Sequence, residues 1–357
     1  MFQTIQNAFK TKEVRMKLLY VLFALIVVRI GCNIPIPGVN GSVMQEMFNN
    51  NKSLGFLDVM TGGSFSRMSI FALNITPYIT ASIILQLLTI AIPRLEELQK
   101  DGEDGRKKIN EYTRYLSIVL AVIEGLAMVI GFRNQNIFKE SGYVSMIVAV
   151  VSLTAGAAFL MWLGEQITVK GVGNGISIIL LINIVARIPS DLAGLYNTYI
   201  KGASNITNAL IAGVIIVAVI VAMYVFIVFL QDGERRIPVQ YAKKIQGRKQ
   251  VGGQSTHIPL KVNTSGVIPV IFAQSLLQTP VIIASLLGKG NGTGIGSKIL
   301  KGMSQSNWCN PDHWNWSIGL IIYLLLNVVF AYFYTSITFN PLEISNNCLL
   351  YTSPSPR

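Results

Sequence analysis

The chain has 357 residues, of which 51% are hydrophobic and 13% charged, with a formal net charge of +12 and a mean hydropathy of +0.51. Soluble domains carry about 25% charged residues, so this composition excludes an ordinary globular core and points to long apolar runs. Cys32, Cys309 and Cys348 show no paired spacing, and His257 and His313 stand alone, which excludes a disulfide framework and a zinc cluster.

A membrane helix needs about 20 apolar residues to cross about 30 Å of hydrocarbon. In chain order the runs predict eight spans: Leu18–Ile34, Ser69–Ile92, Tyr115–Phe132, Tyr143–Leu163, Gly175–Ile188, Ile206–Leu230, Gly266–Leu287 and Ser317–Phe339. The basic start (Lys10, Lys12, Arg15, Lys17) before the first run resembles a signal peptide. Arg29 within the run and Ile-Pro-Ile-Pro-Gly at 34–38, with no small-residue cleavage site, make it a retained span instead. Arg29 lies near the outer end of that span, where it can snorkel to the interface.

Between spans one and two, Leu54-Gly-Phe-Leu-Asp-Val-Met60 forms one or two apolar helical turns, followed by Thr61-Gly62-Gly63. It is too short to cross. An amphipathic interfacial helix and a re-entrant piece tucked into a cavity of the protein both fit. Span five is short, and Gly171, Gly173 and Gly175 break the chain just before it, as happens where irregular backbone lines a cavity.

The basic residues set the orientation. With the N-terminus inside, inner segments carry 18 Lys and Arg against 8 in outer ones, which predicts a cytosolic N-terminus. The inner segment with the most basic residues, 231–262, holds Arg235, Arg236, Lys243, Lys244, Arg248, Lys249 and Lys261 against Asp232 and Glu234. Topogenic charge explains part of this, and a docking arm for an anionic partner such as ribosomal RNA or an acidic motor surface is compatible with it.

Within the spans, Glu124 is the one acidic residue near a helix middle, so it should face protein or water. Gln86, Gln274, Ser275 and Gln278 are candidate partners through interhelical hydrogen bonds. Ile75 and Ile79, and again Ile176 and Leu180, lie four apart and share a helix face. Such pairs are ordinarily packing or lipid-facing residues. Gly171-Val-Gly-Asn-Gly175 lacks the Lys-Ser/Thr of a nucleotide loop, and Asp101-Gly-Glu-Asp-Gly105 has Tyr112 where a calcium loop needs Glu. No nucleophile–base arrangement or metal-ligand set is legible. The chain reads as a conduit or scaffold, with no catalytic residue, metal or cofactor expected. A small-solute transporter with broken helices is the rival; it would gather several ionisable groups at mid-membrane.

Several blocks then become specific. Ile34-Pro-Ile-Pro-Gly38, Ser69-Ile-Phe-Ala-Leu73, Pro77-Tyr-Ile79, Ala81-Ser-Ile-Ile-Leu-Gln-Leu-Leu88, Met161-Trp-Leu-Gly-Glu-Gln-Ile-Thr168, Gly173-Asn-Gly-Ile-Ser177, Gln254-Ser-Thr-His257, Pro259-Leu-Lys-Val-Asn263 and Gly266-Val-Ile-Pro269 together resemble the SecY family of bacterial protein-translocation channels. The resemblance runs over about 340 residues.

It implies an all-α, polytopic channel of two five-span halves around an hourglass pore. Unfolded chains would pass across the cytoplasmic membrane or sideways into lipid. The implied domains are a cytosolic N-terminus 1–17, a first half 18–188, an external connection 189–205 and an incomplete second half 206–339 with the basic cytosolic loop 231–262. Segment 54–64 would be the plug that closes the outer funnel, with Leu54, Phe56, Leu57, Val59, Met60, Gly62 and Gly63. Ile75, Ile79, Ile176, Leu180 and Ile271 would form the pore ring; branched aliphatics offer no ligands to a dehydrated ion.

Gln86, Glu124 and Ser275 would form a polar cluster at the lateral gate, although relatives often carry an uncharged residue at position 124. Arg235, Arg236, Arg248 and Lys249 would meet the ribosome and the SecA motor. SecE and SecG subunits, signal peptides, nascent chains and membrane lipids complete the implied partners. The resemblance also implies omissions. Family members have ten spans, so spans nine and ten, the basic loop between spans eight and nine, and a sixth ring residue are expected to be missing. Residues 340–347 are family-like, 348–357 are expected to be a foreign tail, and the fragment is expected to be unstable or inactive alone.

Overall fold

The structure, a computed structural model, describes residues 10–41, 43–44, 58, 61–132, 137–138, 142–201, 206–239, 244–246, 249–251, 256–286, 299, 302–303, 308 and 318–338. Its helices, in chain order, are α1 (Lys12–Gly31), α2 (Thr76–Ala91), α3 (Pro93–Lys100), α4 (Glu103–Phe132), α5 (Tyr143–Lys170), α6 (Gly175–Leu195), α7 (Ile206–Asp232), α8 (Ile268–Leu286) and α9 (Ile318–Thr338). Each of the eight expected spans corresponds to one of these helices, α3 being the addition. Four short strands lie between α7 and α8: β1 (Glu234–Val239), β2 (Lys244–Gln246), β3 (Lys249–Val251) and β4 (Thr256–Lys261). Among the described residues, five helices are long and apolar enough to cross a membrane, or six when the bent pair of α2 and α3 is one span.

The chain divides into two compact units, Met1–Ala193 with Ile282–Lys289, and Gly194–Val281 with Gly290–Arg357. The first is built on α5. Its buried residues Ala149, Leu153, Gly156, Leu160, Leu163 and Ile167 recur at three- and four-residue steps, the spacing of one helix face. α1 and α4 both pack against α5, and α2 packs against α4. Small residues let these backbones close up, as is usual where lipid supplies no hydrophobic drive between helices. A Cβ on Gly156 would lie 2.1 Å from the Ile70 carbonyl oxygen, and one on Gly175 would lie 1.9 Å from the Gly164 carbonyl oxygen.

The second span starts later than its hydropathy suggests. Residues 70–75 form turns, and α2 begins at Thr76 with Pro77 in its first turn. Pro is preorganised for a helix start and cannot continue one from the preceding turn. Met68 and Asn74 hold positive φ of 49° and 52°, the left-handed region that a helix does not use. The third span begins earlier than expected. α4 runs 30 residues from Glu103, about 45 Å at 1.5 Å per residue, so its charged first turns extend past the hydrocarbon. Arg114 Nε meets Glu165 Oε1 at 2.6 Å, tying that extension to α5.

Two segments read as connections carry regular structure instead. α6 continues through Pro189 to Leu195, and Tyr196–Lys201 form a π-helical turn. The short fifth span is therefore a 27-residue helix from Gly175 to Lys201. Its start is capped by Asn174, whose Oδ1 accepts the Ile176 and Ser177 N–H groups at 3.0 and 3.3 Å. The glycine-rich run before it is a helix cap, which is why its glycines resemble a phosphate loop only on paper.

The described parts of the basic segment 231–262 carry two two-stranded antiparallel sheets. β1 pairs antiparallel with β4, placing Arg235 opposite Leu260 and Arg236 opposite Pro259, and β2 pairs with β3. In the second unit, α8 and α9 meet through stacked Phe272 and Phe330, ring centroids 5.4 Å apart. α7 buries none of its apolar window; a helix apolar all round belongs in lipid or against another helix.

Gly156→Ala puts a methyl group inside the contact distance of the Ile70 carbonyl, and overpacking of this kind costs about 1–3 kcal/mol. We expect a lower thermal unfolding midpoint in detergent, whereas Gly194→Ala, whose Cβ meets nothing within 4 Å, leaves the midpoint unchanged.

Candidate functional site

The non-helical stretch between α1 and α2 is where polar groups gather inside an otherwise apolar unit. The backbone after α1 pairs with the turns before α2: Ile36 N–H donates to the Met68 carbonyl at 3.0 Å, and Ile70 N–H to the Ile34 carbonyl at 3.0 Å. Pro35 bridges Ser69 in the same register. The Ile-Pro-Ile-Pro-Gly run therefore acts as a short extended strap. Its prolines keep it extended and withhold a donor at alternate positions.

Residues 61–69 lead up to this strap, and Asp58 is hydrogen-bonded to them. Asp58 is 3% exposed, and its Oδ1 accepts the Ser66 N–H at 2.8 Å. Its carbonyl accepts the Gly63 N–H at 2.9 Å and the Thr61 hydroxyl at 3.3 Å. Its Oδ2 pairs with Arg187 Nη1 of α6, and Arg187 Nε lies 3.6 Å from Asp191 Oδ1 one turn on. Gly62 and Gly63 have φ of +67° and +85°, a region open to glycine at little cost.

Space is as restrictive as φ at position 62. A Cβ on Gly62 would lie 2.8 Å from Arg29 Nη1 and 2.9 Å from the Asn183 carbonyl oxygen. Gly62 is thus pressed between α1 and α6. Arg29 departs from the snorkelling expectation here: its Nη1 is buried and directed at the segment. Asn183, buried in α6 at 1% exposure, donates through Nδ2 to Asn74 Oδ1 at 3.1 Å, and the Cys32 thiol lies 3.9 Å from its Oδ1. One buried amide therefore links the end of α1, the turn before α2 and the middle of α6.

Next to these groups, toward the starts of α2 and α6, is an aliphatic cluster. Ile75 is buried at 1% exposure in a group that includes Val28, Phe71, Leu160, Ile167 and Ile179, and Ile79 and Ile176 pack half-buried against it. Leu180 is half-buried one turn after Ile176. Ile271, half-buried on α8, belongs to the second unit.

The polar candidates are less concentrated. Gln86 is exposed on α2, and Glu124 is half-buried on α4 beside buried Ala121 and Gly125. Ser275 lies on α8 in the second unit. Arg235 and Arg236 are exposed on β1, Lys249 starts β3, and Arg248 lies outside the described residues. Leu54, Phe56, Leu57, Val59 and Met60 also lie outside them, as do 340–357.

Sequence reasoning passed over Asp58, Asn74, Asn183 and Arg187. The available signal was an ionisable and an amide side chain four residues apart in one span, Asn183 and Arg187, and a lone acid inside the apolar 54–60 run. Among the described residues, no group of three or more His, Cys, Asp or Glu is placed to hold a metal ion.

Comparison with known proteins places this arrangement in context. The family model described as SecY matches residues 69–351. The chain is 42% identical over 365 residues to the protein translocase subunit SecY of Streptomyces scabiei, covering 98% of this chain and 80% of that protein. It is 45% identical over 356 residues to the subunit of the same name from Halalkalibacterium halodurans, covering 97% and 79%.

In fold it is similar to a SecY structure whose plug domain stabilises the closed channel and maintains a membrane seal, with a TM-score of 0.61 at 19% identity over 93% of this chain and 75% of that one. It is also similar to Sec61 in a canine ribosome–channel complex, with a TM-score of 0.60 at 19% identity over 94% and 76%. At these identities the structural likeness speaks for the fold alone.

Gly62→Val adds bulk at a positive φ between Arg29 and Asn183. In a background with Cys309 and Cys348 replaced by Ser, we expect the buried Cys32 to react faster with a maleimide as the segment lifts. An unchanged labelling rate would mean that the segment does not cover this region.

Proposed function

The chain belongs to the SecY family, and we propose that its parts work as the central pore of a Sec translocon in the following way. The family function is protein translocation through a membrane channel, and the apolar helices make the chain a multi-pass membrane protein. The observation that carries the reading is the pairing of a buried, glycine-bent segment with an adjoining aliphatic cluster. The segment is held by α1 and α6 around Gly62, and the cluster contains Ile75, Ile79 and Ile176.

In this reading Ile75, Ile79, Ile176, Leu180 and Ile271 form the constriction. Branched aliphatic side chains yield to a passing chain without recognising its sequence and give an ion nothing to bind. Segment 54–64 is the plug on the outer side. Gln86, Glu124 and Ser275 belong to the lateral gate, through which hydrophobic spans leave for lipid. The N-terminus lies in the cytosol, as the Lys and Arg bias favours, and the β1–β4 ribbon is on the same side.

The ribbon has the character of a docking arm. Arg235 and Arg236 are exposed on a strand whose pairing with β4 fixes their direction. A rigid basic ribbon loses less entropy on binding a phosphate-rich or acidic surface than a flexible loop does. The ribosome and the SecA motor are the proposed partners at this face, with SecE and SecG as the companion subunits in the membrane.

The conduit is tested by cysteines at Ile79 and Ile271 in the assembled channel. Both are expected to crosslink to a translocating polypeptide arrested in transit; reaction with lipid-phase probes and none with the polypeptide would overturn the ring. Reversing Arg235 and Arg236 to Glu tests the ribbon. Binding of ribosomes or motor to membranes is expected to weaken, with a shallower dependence on salt, while insertion of the channel itself is retained.

A further inference from the structure

We propose that Asp58 and Arg187 form an electrostatic latch that holds Asp58 and the turn at 61–66 in their seat, with Asp191 positioning the arginine. This rests on the plug reading above and names the residues that would regulate it. Asp58 has two tasks in the structure. Its Oδ1 and carbonyl organise its own turn through Ser66, Gly63 and Thr61, while its Oδ2 reaches across to α6. The carboxylate is almost fully withdrawn from water, its side chain 4% exposed, whereas Arg187 is 29% and Asp191 52% exposed. The arginine therefore has one partner under the segment and another at the open side.

The electrostatics of such a pair suit a catch better than a clamp. Two charges taken out of water recover little net free energy from each other, yet removing one strands the other at high cost. Held together, the pair fixes where the segment sits. Once a passing chain lifts the segment, Asp58 regains water and Arg187 keeps Asp191, so neither charge is left unpaired in an apolar medium. The seat next to it is also polar and continuous. Asn183, one turn before Arg187, touches Gly62 through its carbonyl and binds Asn74, the neighbour of Ile75. Movement at the latch is thereby transmitted to the edge of the aliphatic cluster.

The test uses the channel with its companion subunits in planar bilayers, with ion conductance in the absence of substrate as the readout. Deletion of 54–64 is the reference, expected to raise conductance. Arg187→Gln, which removes the cation paired with buried Asp58, is expected to raise the open fraction about tenfold. Asp58→Asn keeps the volume and can still accept the Ser66 N–H, so it reports on charge with little risk to folding, and it too should raise the leak.

The double variant Asp58→Asn with Arg187→Gln should leak less than Arg187→Gln alone, since no charge is then stranded; that coupling is the signature a merely structural role would not produce. Parental conductance in both single variants, with a leaky deletion, overturns the latch and leaves the plug standing. A double variant at least as leaky as Arg187→Gln alone also overturns it. A deletion that does not leak overturns the plug and the latch with it.

Discussion

Every polar group at membrane depth must find its partner inside the protein, because hydrocarbon supplies none. In this chain that constraint falls hardest on Asp58 and residues 61–75, mostly turns, enclosed by α1, α4, α5 and α6. Its backbone groups are met by the 34–36 strap, by its own tight turns and by the Asp58 carboxylate. Of its side chains, Asn74 meets Asn183 and Asp58 meets Arg187, both from one face of α6. The close approaches at Gly31, Gly156 and Gly175 are the packing side of the same constraint. Helices must come near enough to wall off an irregular segment, and small residues allow it.

A consequence is that the site is assembled from pieces that do different work. The aliphatic cluster around Ile75 is held by dispersion and shape, which are tolerant of small shifts. The polar seat around Gly62 and Asp58 is held by a few directional bonds, which are not. In the proposed pore and plug, the apolar part yields to any sequence, while the polar part returns the segment to one position after it has moved.

Legibility in the sequence followed this division. Each of the eight apolar runs marks a helix, and among the described residues five of these, or six when the bent pair of α2 and α3 is one span, are long and apolar enough to cross a membrane; the Lys and Arg of 93–114 and 231–262 stood in plain view. Boundaries were read less well where local chemistry overrides hydropathy. Asn74 with its positive φ and Pro77 delay α2, α4 reaches back to Glu103 on a charged surface turn, and α6 carries Pro189 inside it. The strands β1 to β4 escaped notice because Arg235, Arg236 and Lys261 dominate their composition and mask the pairing tendency of the residues between them.

What the sequence alone determined is the class and the kin of this protein: a polytopic helical membrane protein with ordered blocks of SecY type. Length, apolarity and short motifs are properties of the chain in one dimension, so they survive without a structure. The tertiary structure decided which faces meet. In α5 the buried stripe from Ala149 to Ile167 and the lipid-facing side are equally apolar, so no periodicity in hydropathy could tell them apart. It also decided that Asp58 pairs with Arg187, residues 129 positions apart. Such a pairing depends on where α6 is packed against the turns after α1, which only the folded arrangement settles.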